Sequence, residues 1–174
     1  FQAIKLKEGD SVVGIEEEKK EVTLLLVTEK GMCLNADMSD IPVQGRIAGG
    51  VKAIQLNDGD AVLAAMQVSE DGEAVLITDK SNAKRIPVGG IEPMARYRKG
   101  FKIFDLKANT GSRIIFASYV TNPYTIVLDV DDEYLSQFDT EDLPVQNRTN
   151  SGKPLVRGCT GLEKVYVYKT EADE

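Results

Sequence analysis

The chain has 174 residues, 42% of them hydrophobic and 28% charged, and a net charge of −7. That size and mixture suit one globular domain with a real core and exclude a disordered segment. Histidine is absent altogether, which removes Ser-His-Asp triads, Cys-His pairs, HExxH sites and His-ligated metals in one step.

Phe1 opens the chain with no Met and no basic-then-apolar leader, so it reads as an excised piece of a longer, soluble cytoplasmic protein. In chain order, the first repeat presents strands near 2–7, 11–16, 21–28 and 31–36, where β-branched and apolar residues alternate with polar ones, and Glu29-Lys30-Gly31 turns the third into the fourth. The second presents strands near 51–57, 61–69, 73–79 and 83–88, with Asp71-Gly72 as a two-residue hairpin turn whose central positions both need φ > 0. Asn122-Pro123 marks a later turn, and Asp131 to Phe138 is the one stretch ambiguous between helix and strand. The longest apolar runs, Leu24–Val27, Ile114–Ala117 and Ile126–Leu128, fall far short of the roughly 18–20 residues that span a bilayer. Cys33 and Cys159 lie far apart with no CxxC or Cys/His cluster, and are read as two small buried hydrophobes, not as zinc ligands.

These elements repeat. Ala3-Ile4-Lys5-Leu6 returns as Ala53-Ile54-Gln55-Leu56, Gly9-Asp10 as Gly59-Asp60, and Leu26-Val27-Thr28 as Leu76-Ile77-Thr78, each 50 residues later. A weaker third copy fits Ile103-Phe104-Asp105-Leu106 to the first strand and Ile126-Val127-Leu128 to the third, with Asn109-Thr110-Gly111 in place of Gly-Asp. Each copy ends alike, in Ile41-Pro42-Val43, Ile86-Pro87-Val88 and Leu143-Pro144-Val145, followed by an arginine and then a glycine: Arg46 to Gly50, Arg96 to Gly100, Arg148 to Gly152. The repeats run approximately 1–50, 51–100 and 101–152, with a partial fourth over 153–174. Repeats of about 40–50 residues and four strands build propeller-like all-β folds, in which blades stack because each has an apolar face it cannot bury alone.

Charge is distributed unevenly along the repeats. Residues 80–113 carry 9 Lys/Arg against 2 Asp/Glu, whereas residues 114–147 carry none against 7. Local potential, not net charge, decides where a polyanion sits.

The stretch from Gly45-Arg46-Ile47-Ala48-Gly49-Gly50-Val51-Lys52 through Ala53-Ile54-Gln55-Leu56 to Gly59-Asp60 resembles the repeat of the C-terminal domain of the A subunit of bacterial type IIA topoisomerases, DNA gyrase and topoisomerase IV. The resemblance implies a β-pinwheel, a propeller-like disc of three to four blades here whose neighbours exchange strands. It also implies a basic rim that binds and bends double-stranded DNA without reading sequence and presents it for strand passage. Breakage and religation, with their tyrosine nucleophile and magnesium, belong to other domains, so this piece is expected to hold no catalytic residue, metal or cofactor. Its partners would be the remainder of the A subunit and the ATPase B subunit, with no membrane, a nucleoid-associated location, and a monomeric isolated piece. The Gln-Arg-Arg-Gly-Gly-Lys-Gly-type box of gyrase is not found, which with the acidic balance leans toward topoisomerase IV.

Phosphates recur about every 1.7 Å of duplex axis, so a curved rim needs spaced cations. The candidates are Arg46 and Lys52 at the first glycine turn, Arg96, Arg98, Lys99 and Lys102 at the second, and Arg148 and Lys153 at the third, with Lys84 and Arg85, beside Lys80, adding to the second blade. The glycines Gly45, Gly49, Gly50, Gly59, Gly100 and Gly152, most of them in the arginine-to-glycine boxes 46–50, 96–100 and 148–152, are turn residues first, and Asp10 and Asp60 are turn caps, not metal ligands. Two other readings remain: a protein-interaction propeller, which an exposed apolar patch would mark, and a carboxylate hydrolase, which would need two acids converging in a pocket.

Overall fold

The computed structural model describes residues 3–46, 48–131 and 133–168; Phe1, Gln2, Ile47, Asp132 and residues 169–174 lie outside it. The described residues form eleven strands and three short 3-10 turns. The strands are β1 (Thr23–Thr28), β2 (Met32–Asp37), β3 (Val62–Val68), β4 (Glu73–Thr78), β5 (Asn82–Pro87), β6 (Phe101–Lys102), β7 (Ile114–Val120), β8 (Thr125–Val130), β9 (Tyr134–Asp139), β10 (Lys153–Pro154) and β11 (Leu162–Tyr168). No helix among them is long and apolar enough to cross a membrane.

Three antiparallel sheets result, ordered β3-β1-β2-β6, β10-β5-β4-β7 and β11-β8-β9. In the first two a local hairpin is flanked on both sides by strands from later repeats; in the third, β11 flanks the hairpin on one side. β1 and β2 are joined through Glu29-Lys30-Gly31, with Leu25 opposite Asn35, while β3 returns 34 residues downstream of β1 to pair Leu25 with Met66, and β6 pairs Cys33 with Phe101. The expected ambiguous stretch is the strand β9.

Two local readings are corrected. Asp71-Gly72 is no hairpin turn: β3 and β4 lie in different sheets, and neither residue has positive φ. The glycine is needed for space, because a Cβ there would overlap the Tyr119 ring, whose hydroxyl accepts from the Ser69 N–H at 3.1 Å. Nor are the first segments of the repeats laddered strands. Residues 3–7 and 11–16 form none, and 51–57 contributes one parallel bridge, Ile54 with Arg98. The partner of that segment is the arginine-to-glycine stretch that closes the same repeat: the Tyr97 N–H donates to the Ala53 carbonyl and the Gln55 N–H to the Arg98 carbonyl at 2.9 Å.

The hairpin strands of the first two sheets are largely apolar on both faces because those sheets are covered on both sides, whereas β9 of the third is mostly exposed. Leu25 and Val27 meet Ala74, Leu76 and Ile114 between the first and second sheets. Val75 and Ile77 meet Ile126, Leu128 and Leu162 between the second and third. Leu26, Leu34 and Ala36 cover themselves with Ile54. Cys33 lies fully buried in the first of these layers, where desolvation pushes its thiol up to about 12; Cys159 is half-buried, and neither is bridged.

The junctions between hairpin and incoming strand are latched by one carboxylate each. In the first sheet Asp60, on the incoming loop, accepts from its neighbour Ala61 N–H and, across the junction, from the Lys30 N–H at 3.0 Å. Where the third copy lacks Gly-Asp, the acid has moved to the other side: Asp79 in the hairpin turn accepts from the Ser112 N–H at 2.9 Å. Asp131 repeats that arrangement against Gly161 at 2.7 Å, which holds its carboxyl below the usual carboxylate range. The lost motif was half of an exchangeable pair.

Gly100 and Gly152, the glycines that close the Arg-to-Gly spacing, hold φ of +68° and +70° and bring β6 and β10 onto β2 and β5. A Cβ at Gly100 would overlap the Cys33 carbonyl oxygen, and one at Gly152 would sit 2.8 Å from that of Ala83. Gly100→Ala therefore meets a left-handed backbone and a steric overlap together, and is expected to cost more than ~2 kcal/mol in urea unfolding; a loss under 0.5 kcal/mol would show that the edge strand is not closely held.

Candidate nucleic-acid interface

The basic candidates divide into those the fold consumes and those it presents. Lys84 is fully buried. Its Nζ donates to the carbonyls of Asn147, Arg148 and Asn150 at 2.9, 3.3 and 2.8 Å and stands 4.6 Å from the Phe104 ring centroid. Lys84 is thus a correction: it cannot reach a phosphate. It shapes the third box loop, which carries Arg148, without belonging to the surface. Arg85 is corrected likewise. Its guanidinium donates to the Leu143 carbonyl at 3.0 Å, the Glu141 carbonyl at 2.8 Å and the Glu73 carboxylate at 2.7 Å, stapling the second sheet to the third. Lys80 Nζ donates to the Ala108 carbonyl.

The box residues present a different picture. Arg96 Nε donates to the Asp40 carbonyl at 2.8 Å and Nη1 to the Lys52 carbonyl at 3.0 Å, so the second box is clamped onto the segment that leaves the first. Arg148, its counterpart one repeat on, lies with its guanidinium carbon 5.1 Å from the centroid of the Phe101 ring, in the segment that leaves the second box. Both box arginines therefore lean on the chain leaving the preceding box. This fixes the spacing between successive basic clusters.

Around Arg96 the exposed groups converge. Lys52 Nζ stands 5.0 Å from the Tyr97 ring centroid and 3.3 Å from its hydroxyl. Arg98 and Lys99 are exposed on the same turn, and Arg46 is exposed in the first box. Lys102 and Lys153 are exposed on β6 and β10, and Lys102 is already paired with Asp105 at 3.3 Å. Tyr97 lies between Arg96 and Arg98. It is 43% exposed and holds φ of +59°, a left-handed conformation that costs an aromatic residue of order 1 kcal/mol. The signal that could have found it is its place inside the arginine-to-glycine box, flanked by Arg96 and Arg98.

One acidic run lies on the third sheet. Asp129, Asp131, Glu133, Asp139, Glu141 and Asp142 all belong to the third sheet or its connections, and no group of three or more acids or cysteines among the described residues could hold a metal ion.

Strand-exchanging antiparallel sheets, with a glycine of positive φ closing each box, define a propeller-like β-pinwheel. The chain belongs to the DNA gyrase C-terminal domain family, a β-propeller family whose model matches residues 2–16, 23–69, 72–120 and 133–164. Among solved structures it is similar to the C-terminal domain of DNA topoisomerase IV, with a TM-score of 0.84 at 26% identity over 95% of this chain and 52% of that one. It shares its fold with the DNA gyrase A C-terminal domain, TM-score 0.80 at 19% identity over 96% of this chain and 57% of that one, and with the E. coli ParC C-terminal domain, TM-score 0.73 at 17% over 97% and 69%. The chain thus spans about half the length of the first two. No curated protein sequence matches it.

Lys84 also predicts a pH effect. Desolvation lowers its pKa to about 8 in the fold, from 10.5 for the free group. The unfolded chain therefore binds more protons between those values, and the stability this group contributes rises with pH across that window. Lys84→Met is expected to remove roughly 1–3 kcal/mol of that rise between pH 8 and 10.5, measured by urea unfolding against wild type; identical pH slopes would contradict it.

Proposed function

We propose that this domain binds double-stranded DNA along the edge formed by its successive boxes, without reading sequence, and bends it for a type IIA topoisomerase. The observation that carries the proposal is the clamp of Arg96 onto Lys52, which joins two boxes into one continuous edge and leaves Arg98, Lys99 and the Lys52–Tyr97 pair facing outward. Cations so spaced suit the phosphate backbone. The acidic third sheet repels the duplex and limits how far it follows the edge. In the parent enzyme the partners would be the rest of the A subunit and the ATPase subunit, with catalysis elsewhere and no cofactor here.

A second reading, a surface for a protein partner, is favoured by one observation. Leu135, Tyr134, Tyr166 and Tyr168 on the third sheet are 66, 51, 49 and 64% exposed. The two readings separate in one experiment, equilibrium binding to a duplex of mixed sequence across a salt series. Arg98→Ala with Lys99→Ala should weaken binding at least tenfold at low salt and reduce the slope of log K against log salt by about 2. Wild-type binding with an unchanged slope in the variant would move the contact off this box, and no binding at low salt would leave the protein-partner reading.

A further inference from the structure

The three hairpins place non-identical residues at one equivalent position. Asn35 stands opposite Leu25, Arg85 opposite Val75, and Gln137 opposite Val127. From these positions Asn35 and Arg85 face the same kind of target, the 3-10 turn that ends the next sheet's hairpin: Val88–Gly90 with Ile91 for Asn35, Thr140–Asp142 with Leu143 for Arg85. Arg85 Nε donates to the Leu143 carbonyl; Asn35 Nδ2 donates to the equivalent Ile91 carbonyl at 2.8 Å. That bond also fixes the amide orientation, since the flipped amide would set two oxygens against each other.

Beyond that first hydrogen bond the junctions differ. Arg85 carries a guanidinium fork that goes on to the Glu141 carbonyl and the Glu73 carboxylate. Asn35 is shorter, and the space is a cavity of about 390 Å³ lined by Asn35, by Gly89 and Ile91 (the counterparts of Glu141 and Leu143), and by Glu21, Glu70 and Glu92. Asp37 is the fourth carboxylate on its wall, and no lysine or arginine lines it. Asn35 is 2% exposed, yet its Oδ1 accepts no hydrogen bond among the described residues; a buried acceptor without a donor is costly and calls for a physical explanation. The carboxylates do not converge as metal ligands would.

We propose that this junction is a binding site for a guanidinium group on an alkyl stem, supplied from outside the chain and occupying the place that the Arg85 head fills one repeat later. Asn35 Oδ1 and the wall of the turn accept from its planar donors, and Glu21, Glu70 and Glu92 balance its charge. A fork of N–H donors matches this acceptor set better than a spherical ammonium or a metal ion does. The inference is independent of DNA binding, because the site lies among acids on the junction and not on the boxes.

The test titrates the chain with agmatine and, separately, with N-acetyl-arginine methylamide, by calorimetry and amide chemical shifts. Agmatine is expected to bind one saturable site with a dissociation constant on the order of 1 mM, with shifts centred on Asn35 and Gly89–Glu92. Comparable binding of the arginine amide identifies an arginine side chain of a partner as the occupant, and agmatine alone identifies a small free cation; either supports the site. Asn35→Arg should fill the cavity from within, raise the melting temperature and weaken agmatine at least tenfold. Glu70→Gln with Glu92→Gln keeps the cavity, removes charge, and should weaken agmatine at least fivefold whether or not the arginine variant folds. Absence of saturable binding to wild type, or agmatine binding that the glutamine variant leaves unchanged, overturns the proposal.

Discussion

Completion of each sheet by strands from later repeats is the constraint on which everything else rests. A hairpin such as β1–β2 is marginal alone, since two strands bury too little. Its outer partners come from repeats further on, and they reach it only because Gly100 and Gly152 accept a left-handed backbone and direct contact with a carbonyl of the facing strand. The arginine-to-glycine box is the approach path of that edge strand. The turn that exposes basic side chains is therefore the turn that closes the sheet, and the surface follows from the folding requirement.

The same constraint sorts the charges. A cation on a hairpin strand points into a junction between sheets, where it must be satisfied by carbonyls or carboxylates. Lys84 and Arg85 are satisfied that way, by the third box loop and by the turn ending β9. A cation on a box sits at the sheet's edge, where backbone ladders are short and side chains remain in water. Net charge of −7 is compatible with a basic edge because charge is uneven along the chain: residues 80–113 carry 9 Lys/Arg against 2 Asp/Glu, and residues 114–147 carry none against 7.

Much of this was legible in the sequence. The 50-residue recurrence leads to a propeller-like repeat and the family resemblance adds the exchange of strands, and consecutive apolar residues such as Leu24–Val27 are what a sheet buried on both faces requires. Partner identity was not legible. Asp71-Gly72 has the chemistry of a hairpin turn, but the strands it joins belong to different sheets, and a local rule holds no information about which long-range ladder wins. Likewise Lys84 and Arg85 lie inside the most basic segment, where linear charge density gives no sign of their burial. The exchange of Asp60 for Asp79 was hidden for a related reason: the latch is conserved in space while its carboxylate changes strand.

The most direct test of the account is backbone hydrogen exchange of the chain with and without a saturating duplex at low salt. The account predicts slowed exchange over residues 96–102 and 48–54, with unchanged exchange over residues 133–142. Protection centred on the third sheet, or on no box segment at all, would contradict the claim that the sheet-closing turns form the nucleic-acid edge.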